Sequence, residues 1–284
     1  QSIYENLQTF YGDQALLYPY RDFNFQDVAG VSREFEHKRL GVLERMLQGR
    51  YQAVVTVADA AMQFTIDAAT LKKRRITLRQ GTPVAMERIL AVLADGGYER
   101  TSLVEGAGQF SVRGGILDFF SPQEEYPVRV EFFGDEPDLI SYFDPLTQRR
   151  IRNIHQATII PAVEVAPSSD QRPALAEQME KLAAKLEKRK TTAHQAAFMR
   201  QDAARVQGGL HFTCIDRYLN LIYTSPQTLL DYFGAGYVFL YGSGEVGERV
   251  RAYDWQVSED IKQMLEQGIM NSVTCTTSLS KELF

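Results

Sequence analysis

The sequence predicts an α/β layer, interrupted by an antiparallel α+β insert and then resumed. Three observations carry this reading. Residues 51–57 (YQAVVTV) form a continuous apolar run, as expected of a strand buried on both faces of a parallel sheet. Residues 109–160 instead alternate, with turn signals at a spacing of ~8–12 residues, which is the pattern of antiparallel strands. Beyond Pro161 the spacing becomes helical, with Leu175, Met179, Leu182 and Leu186 recurring on a charged, surface-lying helix.

Taken in order, Ala15-Leu16-Leu17-Tyr18 is a short apolar run ended by Pro19. Ser32 suits an N-cap for a helix to about Gln48, with Phe35, Leu40, Leu43 and Leu47 near the helical period and Gly49 as its stop. Residues 58–62 begin another helical turn, and residues 75–78 read as a strand edge. From Gly81 the style changes. Residues 83–95 are helical, with Pro83 early and Gly96-Gly97 as terminator. A meander follows: residues 109–120, interrupted at Gly114-Gly115 by what reads as a bulge, then 128–133 (VRVEFF), 139–143 and 151–160. Later come helical turns at 218–223 and 228–233, and a buried strand at 236–241 (GYVFLY). A helix at 258–267, capped by Ser258 and stopped by Gly268, precedes a last strand at 273–277. Both ends look cut, so a fragment of something larger is expected.

Composition narrows the function. A net charge of −5 argues against a large phosphate-binding surface. The basic runs Lys72-Lys73-Arg74-Arg75 and Arg149-Arg150-Arg152 read as solvated strand ends or turns. The histidines His37, His155, His194 and His211 have no ligand spacing with each other or with Cys214 and Cys275, so no metal is expected. Two cysteines are too few for a disulfide framework, which favours a reducing cytoplasm. No apolar run approaches the ~20 residues that span a bilayer, and the start lacks a signal-peptide pattern.

No string offers catalysis. Gly242-Ser243-Gly244-Glu245-Val246-Gly247 matches a dinucleotide fingerprint after a predicted strand. Glu245 and Glu248 would put negative charge where phosphates arrive, so a glycine-rich loop after a strand is the better reading. A phosphate-loop string and a nucleophile elbow are both missing from the sequence. The catalytic residues and cofactors expected are therefore none. VRVEFF is the remaining feature. If Val128, Val130 and Phe132 face a core, then Arg129, Glu131 and Phe133 face outward. An outward Phe beside an Arg has the composition of a protein-binding hot spot. Alternation alone leaves open that a loop or helix covers Phe133 and that Arg129 is merely solvated.

The string GYERTSLVEGAGQFSVRGGILDFFSP, followed by PVRVEFFGDEPDLISYFDPLTQRR, closely resembles the UvrB-like region of bacterial transcription-repair coupling factors. FTCIDRYLNLIYTSPQTLLDYF resembles the same family downstream. UvrB itself shares GYER, the RVEFFGDE-like strand and LLDYF. The resemblance implies a degenerate RecA-like, P-loop-type domain in two parts, 1–78 and 163–284, with a UvrA-binding insert at 79–162. It implies UvrA as partner, bound through Arg113, Arg129 and Phe133. RNA polymerase and duplex DNA would be engaged through regions absent here, as would the ATP-driven translocase motor. In UvrB an Asp-Glu pair follows the strand after LLDYF and handles magnesium and water. Here Gly242-Ser243 stands at that place, which implies a dead nucleotide site. The runners-up are a fragment of a UvrB-type ATP-dependent helicase and a DNA-binding module.

Overall fold

The computed structural model describes residues 2–27, 30–188, 193–210, 212–270 and 276–280. The chain is a mixed helix-and-sheet protein that divides into two compact units, 33–50 with 68–166, and 1–32 with 51–67 and 167–284. The expected strand at 273–277 falls mostly outside the described residues. Among the described residues no helix is long and apolar enough to cross a membrane.

The unit containing residues 68–166 is built on a six-stranded sheet. Its strands are β4 (Glu99–Arg100), β5 (Gln109–Arg113), β6 (Ile116–Phe119), β7 (Val128–Phe133), β8 (Glu136–Phe143) and β9 (Arg150–Ile154), lying side by side in chain order. All neighbours are antiparallel except the short β4–β5 pair. Pairing puts Val112, Leu117, Val130 and Ile140 in one cross-strand row and Phe110, Phe119 and Val128 in the next. These rows form the core with Ile89 and Leu93 of α5 (Met86–Asp95). Ile76 and Leu78 of β3 (Ile76–Arg79), and Ala157 and Ile159 of β10 (Gln156–Ile159), complete it; β3 and β10 pair antiparallel. Each large side chain buried this way contributes about 1.5–3 kcal/mol.

Gly114-Gly115 is a hairpin turn rather than a bulge. Arg113 pairs with Ile116, and Gly114 takes a φ of 61°, which a primed two-residue turn demands and glycine supplies. A glycine pair suits either geometry, and only the pairing of the flanking residues decides. The irregularities of the sheet lie elsewhere: one at Ile151 of β9, the other at Asp138 of β8, beside Pro137, which has no N–H to donate. Because the extra residue is on β8, β7 keeps its alternation.

Helix α2 (Glu34–Leu47) belongs to this unit and ends before Gly49 in the left-handed region. Its N-cap is Arg33, not Ser32, and Phe35 is exposed while Leu40 and Leu43 are fully buried. Arg39 is fully buried too, its guanidinium donating to Glu164 at 2.5 and 3.2 Å. The basic run 72–75 is not simply solvated: Arg74 is buried and donates to the Ala166 carbonyl, and Arg75 pairs with Glu44.

His37 of α2 is half-buried, and its Nε2 has no partner among the described residues. Burial, then the Arg33 charge, pushes its pKa from 6.5 down to about 4. The folded state thus disfavours the imidazolium. That contribution to stability is complete above the unfolded pKa near 6.5 and is lost as pH falls from there toward 4. The melting temperature should therefore drop between pH 7 and pH 5 in the parent, and drop less in His37→Leu. Equal slopes in thermal scans would refute this.

The other unit holds a two-stranded parallel sheet of β1 (Ala15–Tyr18) and β2 (Ala53–Thr56). The parallel pairing matches the expectation, but β2 is only half-buried. Helices α6 (Arg172–Glu187) and α7 (Ala193–Gln207) form a hairpin, and α9 (Ser243–Glu266) packs Val250 and Tyr253 on Met62 of α3 (Ala58–Met62). Buried Arg21 and Asp216 make a bidentate ion pair at 3.0 Å.

Three expectations fail here. Residues 237–241 are not a buried strand: Tyr237 is 86% and Phe239 88% exposed. An extended segment becomes a strand only by pairing, and these residues pair with no strand among those described. The glycine string that follows is not a loop. Gly242, at φ 69°, is the N-cap of α9, and Gly244 and Gly247 lie within its first turns. Ser258 is likewise inside α9, its hydroxyl donating to the Asp254 carbonyl, and does not start a helix.

Candidate docking face

Strand alternation divides β7 as expected. Val128 and Val130 are fully buried and Phe132 packs on the core, while Arg129, Glu131 and Phe133 lie on the opposite face. Phe133 is 85% exposed. It is the last ladder residue before the turn at Gly134, whose φ of 61° makes the reversal possible. The Gly114-Gly115 turn lies at the same end of the sheet, because the Phe132 amide donates to the Gly115 carbonyl at 2.7 Å. Arg113 immediately precedes that turn. All three residues singled out from the sequence therefore share one face, but Arg113 is on β5, with β6 between it and β7.

The strand between them supplies a residue that the sequence reading missed. Ser111, Asp118, Arg129 and Ser141 form one row across β5–β8 on this face. Asp118 is buried, at 1% exposure, and both of its oxygens are engaged. Arg113 Nη2 donates to Oδ2 at 2.9 Å, and Arg129 donates through Nε to Oδ1 at 2.7 Å and through Nη2 to Oδ2 at 2.8 Å. The bonds to Asp118 push the Arg129 pKa upward from its ordinary value, so its charge is secure. Arg129 also stacks on Phe143, 4.5 Å from the ring centroid, and donates to the Gln148 carbonyl and side chain. The acid was legible: Asp118 interrupts the apolar string ILDFF, and alternation turns it to the Arg129 side.

Part of the face is roofed. The connection between β4 and β5 crosses it, with Val104 fully buried and the Ser102 carbonyl accepting from Ser111. The part left open carries Arg113, whose side chain is 49% exposed, with Ile116, Glu131, Leu139 and Phe133. Arg150 of β9 pairs with Glu131 at 2.5 Å, an exposed pair that contributes little by itself. Chemically the open part combines an apolar projection with a half-exposed cation on the same face, suited to an apolar pocket flanked by acidic groups.

No group of His, Cys, Asp and Glu able to hold a metal occurs among the described residues. Gly242 is the N-cap and Ser243 the first residue of α9 in the other unit; neither offers a carboxylate to a cation.

Residues 76–164 match the UvrB interaction domain family, the stretch that builds this face. The transcription-repair-coupling factor of Bacillus subtilis (strain 168) is 27% identical across 99% of this chain and 24% of its own length. That of Myxococcus xanthus is 36% identical across 48% of this chain and 11% of its own length. That of Staphylococcus haemolyticus is 25% identical across 88% and 22%. The chain thus spans a quarter or less of the length of these relatives. Residues 76–164 are thus similar to the UvrB interaction domain, and along its length the chain is similar to transcription-repair-coupling factors.

Proposed function

We propose that this chain is the UvrA-recruiting module of a transcription-repair-coupling factor and that Arg113, Arg129 and Phe133 form its UvrA-binding patch. The observation carrying this is Phe133: a large apolar side chain, 85% exposed, on the same sheet face as two arginines paired to Asp118. An exposed aromatic ring that shares a sheet face with arginines has the composition of a protein-binding hot spot. The arginines would meet acidic groups on UvrA, giving orientation and on-rate, and the ring would supply desolvation. Immobilised chain should retain purified UvrA at physiological salt. Failure to retain it would count against the reading.

The same reading divides the chain into a degenerate RecA-like domain, 1–78 and 163–284, around a UvrA-binding insert, 79–162. It makes the chain a binding module rather than an enzyme, in the cytoplasm. Contacts with RNA polymerase and duplex DNA, and an ATP-driven motor, belong on this view to parts of the relatives that this chain does not cover. A UvrB-type helicase is disfavoured because Gly242 and Ser243 stand where it would need two carboxylates. Calorimetric titration with ATP and magnesium should accordingly give only heat of dilution. Saturable heat at micromolar nucleotide would restore the helicase alternative.

A further inference from the structure

We propose that Asp118 and Gln148 are positioning residues for the docking face, holding the Arg129 and Arg113 guanidiniums in place before a partner arrives. This inference rests on the reading of that face as the UvrA-binding patch. The two arginines are not equivalent. Arg129 is only 20% exposed, bonded to Asp118 and to Gln148, with its guanidinium carbon over the Phe143 ring at 4.5 Å. Arg113 makes one bond to Asp118 and keeps half its side chain in solvent. Arg113 and Phe133 are thus the more accessible groups of the patch, and Arg129 is its more tightly held charge.

Asp118 determines that seat. A carboxylate this buried has to be paired, so its two oxygens dictate where both guanidiniums lie. One anion against two cations leaves the cluster with one net positive charge.

Gln148 closes the other side. It is the only non-glycine with positive φ among the described residues, at 59°, and side chains seldom adopt that conformation without a compensating set of contacts. The contacts are present. Its carbonyl and Oε1 accept from Arg129 at 3.3 and 3.4 Å, and its Nε2 donates to the carbonyls of Pro145 at 2.8 Å and Val104 at 3.3 Å. Gln148 therefore joins Arg129 to the connection that roofs the face. Asp144 fixes the turn presenting it, accepting from the amides of Leu146 and Thr147. Rotamer freedom removed in the free protein is not lost again on binding, which is what preorganisation means for affinity.

The test is the kinetics of binding to purified UvrA. Asp118→Asn keeps the shape and removes the charge. Dissociation should quicken about tenfold, as for loss of a charge-assisted anchor. Association at low salt should not slow, and should respond more steeply to salt, because the face gains one positive charge. A purely structural role would lower the melting temperature and leave the dissociation of the folded variant as in the parent. Parent-like dissociation, whatever the melting temperature, overturns the proposal for Asp118.

If Asp118→Asn fails to fold, Gln148→Gly decides. Glycine accepts the left-handed backbone freely, so only the side-chain amide is lost. The melting temperature should hold while dissociation quickens about threefold, as for the loss of one long hydrogen bond from the Arg129 guanidinium. Wild-type dissociation, or a fall in melting temperature, overturns the proposal. Failure of the underlying reading looks different: Arg113→Ala and Phe133→Ala would then bind normally. If those two lose binding while Asp118→Asn and Gln148→Gly keep it, the patch stands and only the positioning inference falls.

Discussion

Phe133→Ala lowers the affinity for UvrA about tenfold or more and leaves the melting temperature unchanged. Truncating a central anchor of this type removes about 2 kcal/mol, roughly thirtyfold in affinity. The ring contributes almost nothing to the fold, because it is 85% exposed and its neighbour Phe132, not Phe133, packs on the core. Surface changes of this sort stay within about 0.5 kcal/mol of stability. Calorimetry of binding and thermal scanning on the same preparation check both halves. Loss of affinity accompanied by unfolding would mean that the ring is structural after all.

Arg39→Ala destabilises the chain by about 3–5 kcal/mol, the largest stability effect expected of a single change here. Arg39 and Glu164 are both completely buried and joined at 2.5 Å. Removing the arginine leaves a carboxylate in a site with no access to water. A simultaneous Arg39→Met and Glu164→Leu change should recover much of the loss, because the penalty comes from a buried charge deprived of its arginine rather than from the missing attraction. Chemical denaturation of the three proteins measures this. A single variant within about 1 kcal/mol of the parent would show that Glu164 relaxes toward solvent or other donors.

The part of the docking face that lies on one strand was legible in the sequence. VRVEFF has period-2 alternation, and the period alone tells which residues share a face. Its partners across the sheet were less legible. Gly114-Gly115 reads equally as bulge or turn, and the difference decides whether Arg113 sits beside β7 or one strand further away. Asp118 escaped notice because a lone acid in an apolar strand has no meaning until two arginines are found beside it. Gln148 carries its information in a backbone angle, and glutamine gives no hint of one.

In the other unit the misreadings have a common cause. GYVFLY has the composition of a buried strand, but strand pairing is non-local and composition cannot supply a neighbour. Gly244 and Gly247 are poor helix formers, so the start of α9 read as a loop and Ser258 as a cap. The length of α9 and its packing on α3 outweigh those local preferences.

The central claim is that the face bearing Arg113, Arg129 and Phe133 recruits UvrA. The most direct measurement is titration of purified UvrA with the parent chain and with a double Arg113→Ala, Phe133→Ala variant, each checked by thermal scan. The parent should bind saturably and the double variant should lose nearly all affinity while keeping the parent's melting temperature. A parent that does not bind, or a folded double variant that binds as the parent does, would contradict the claim.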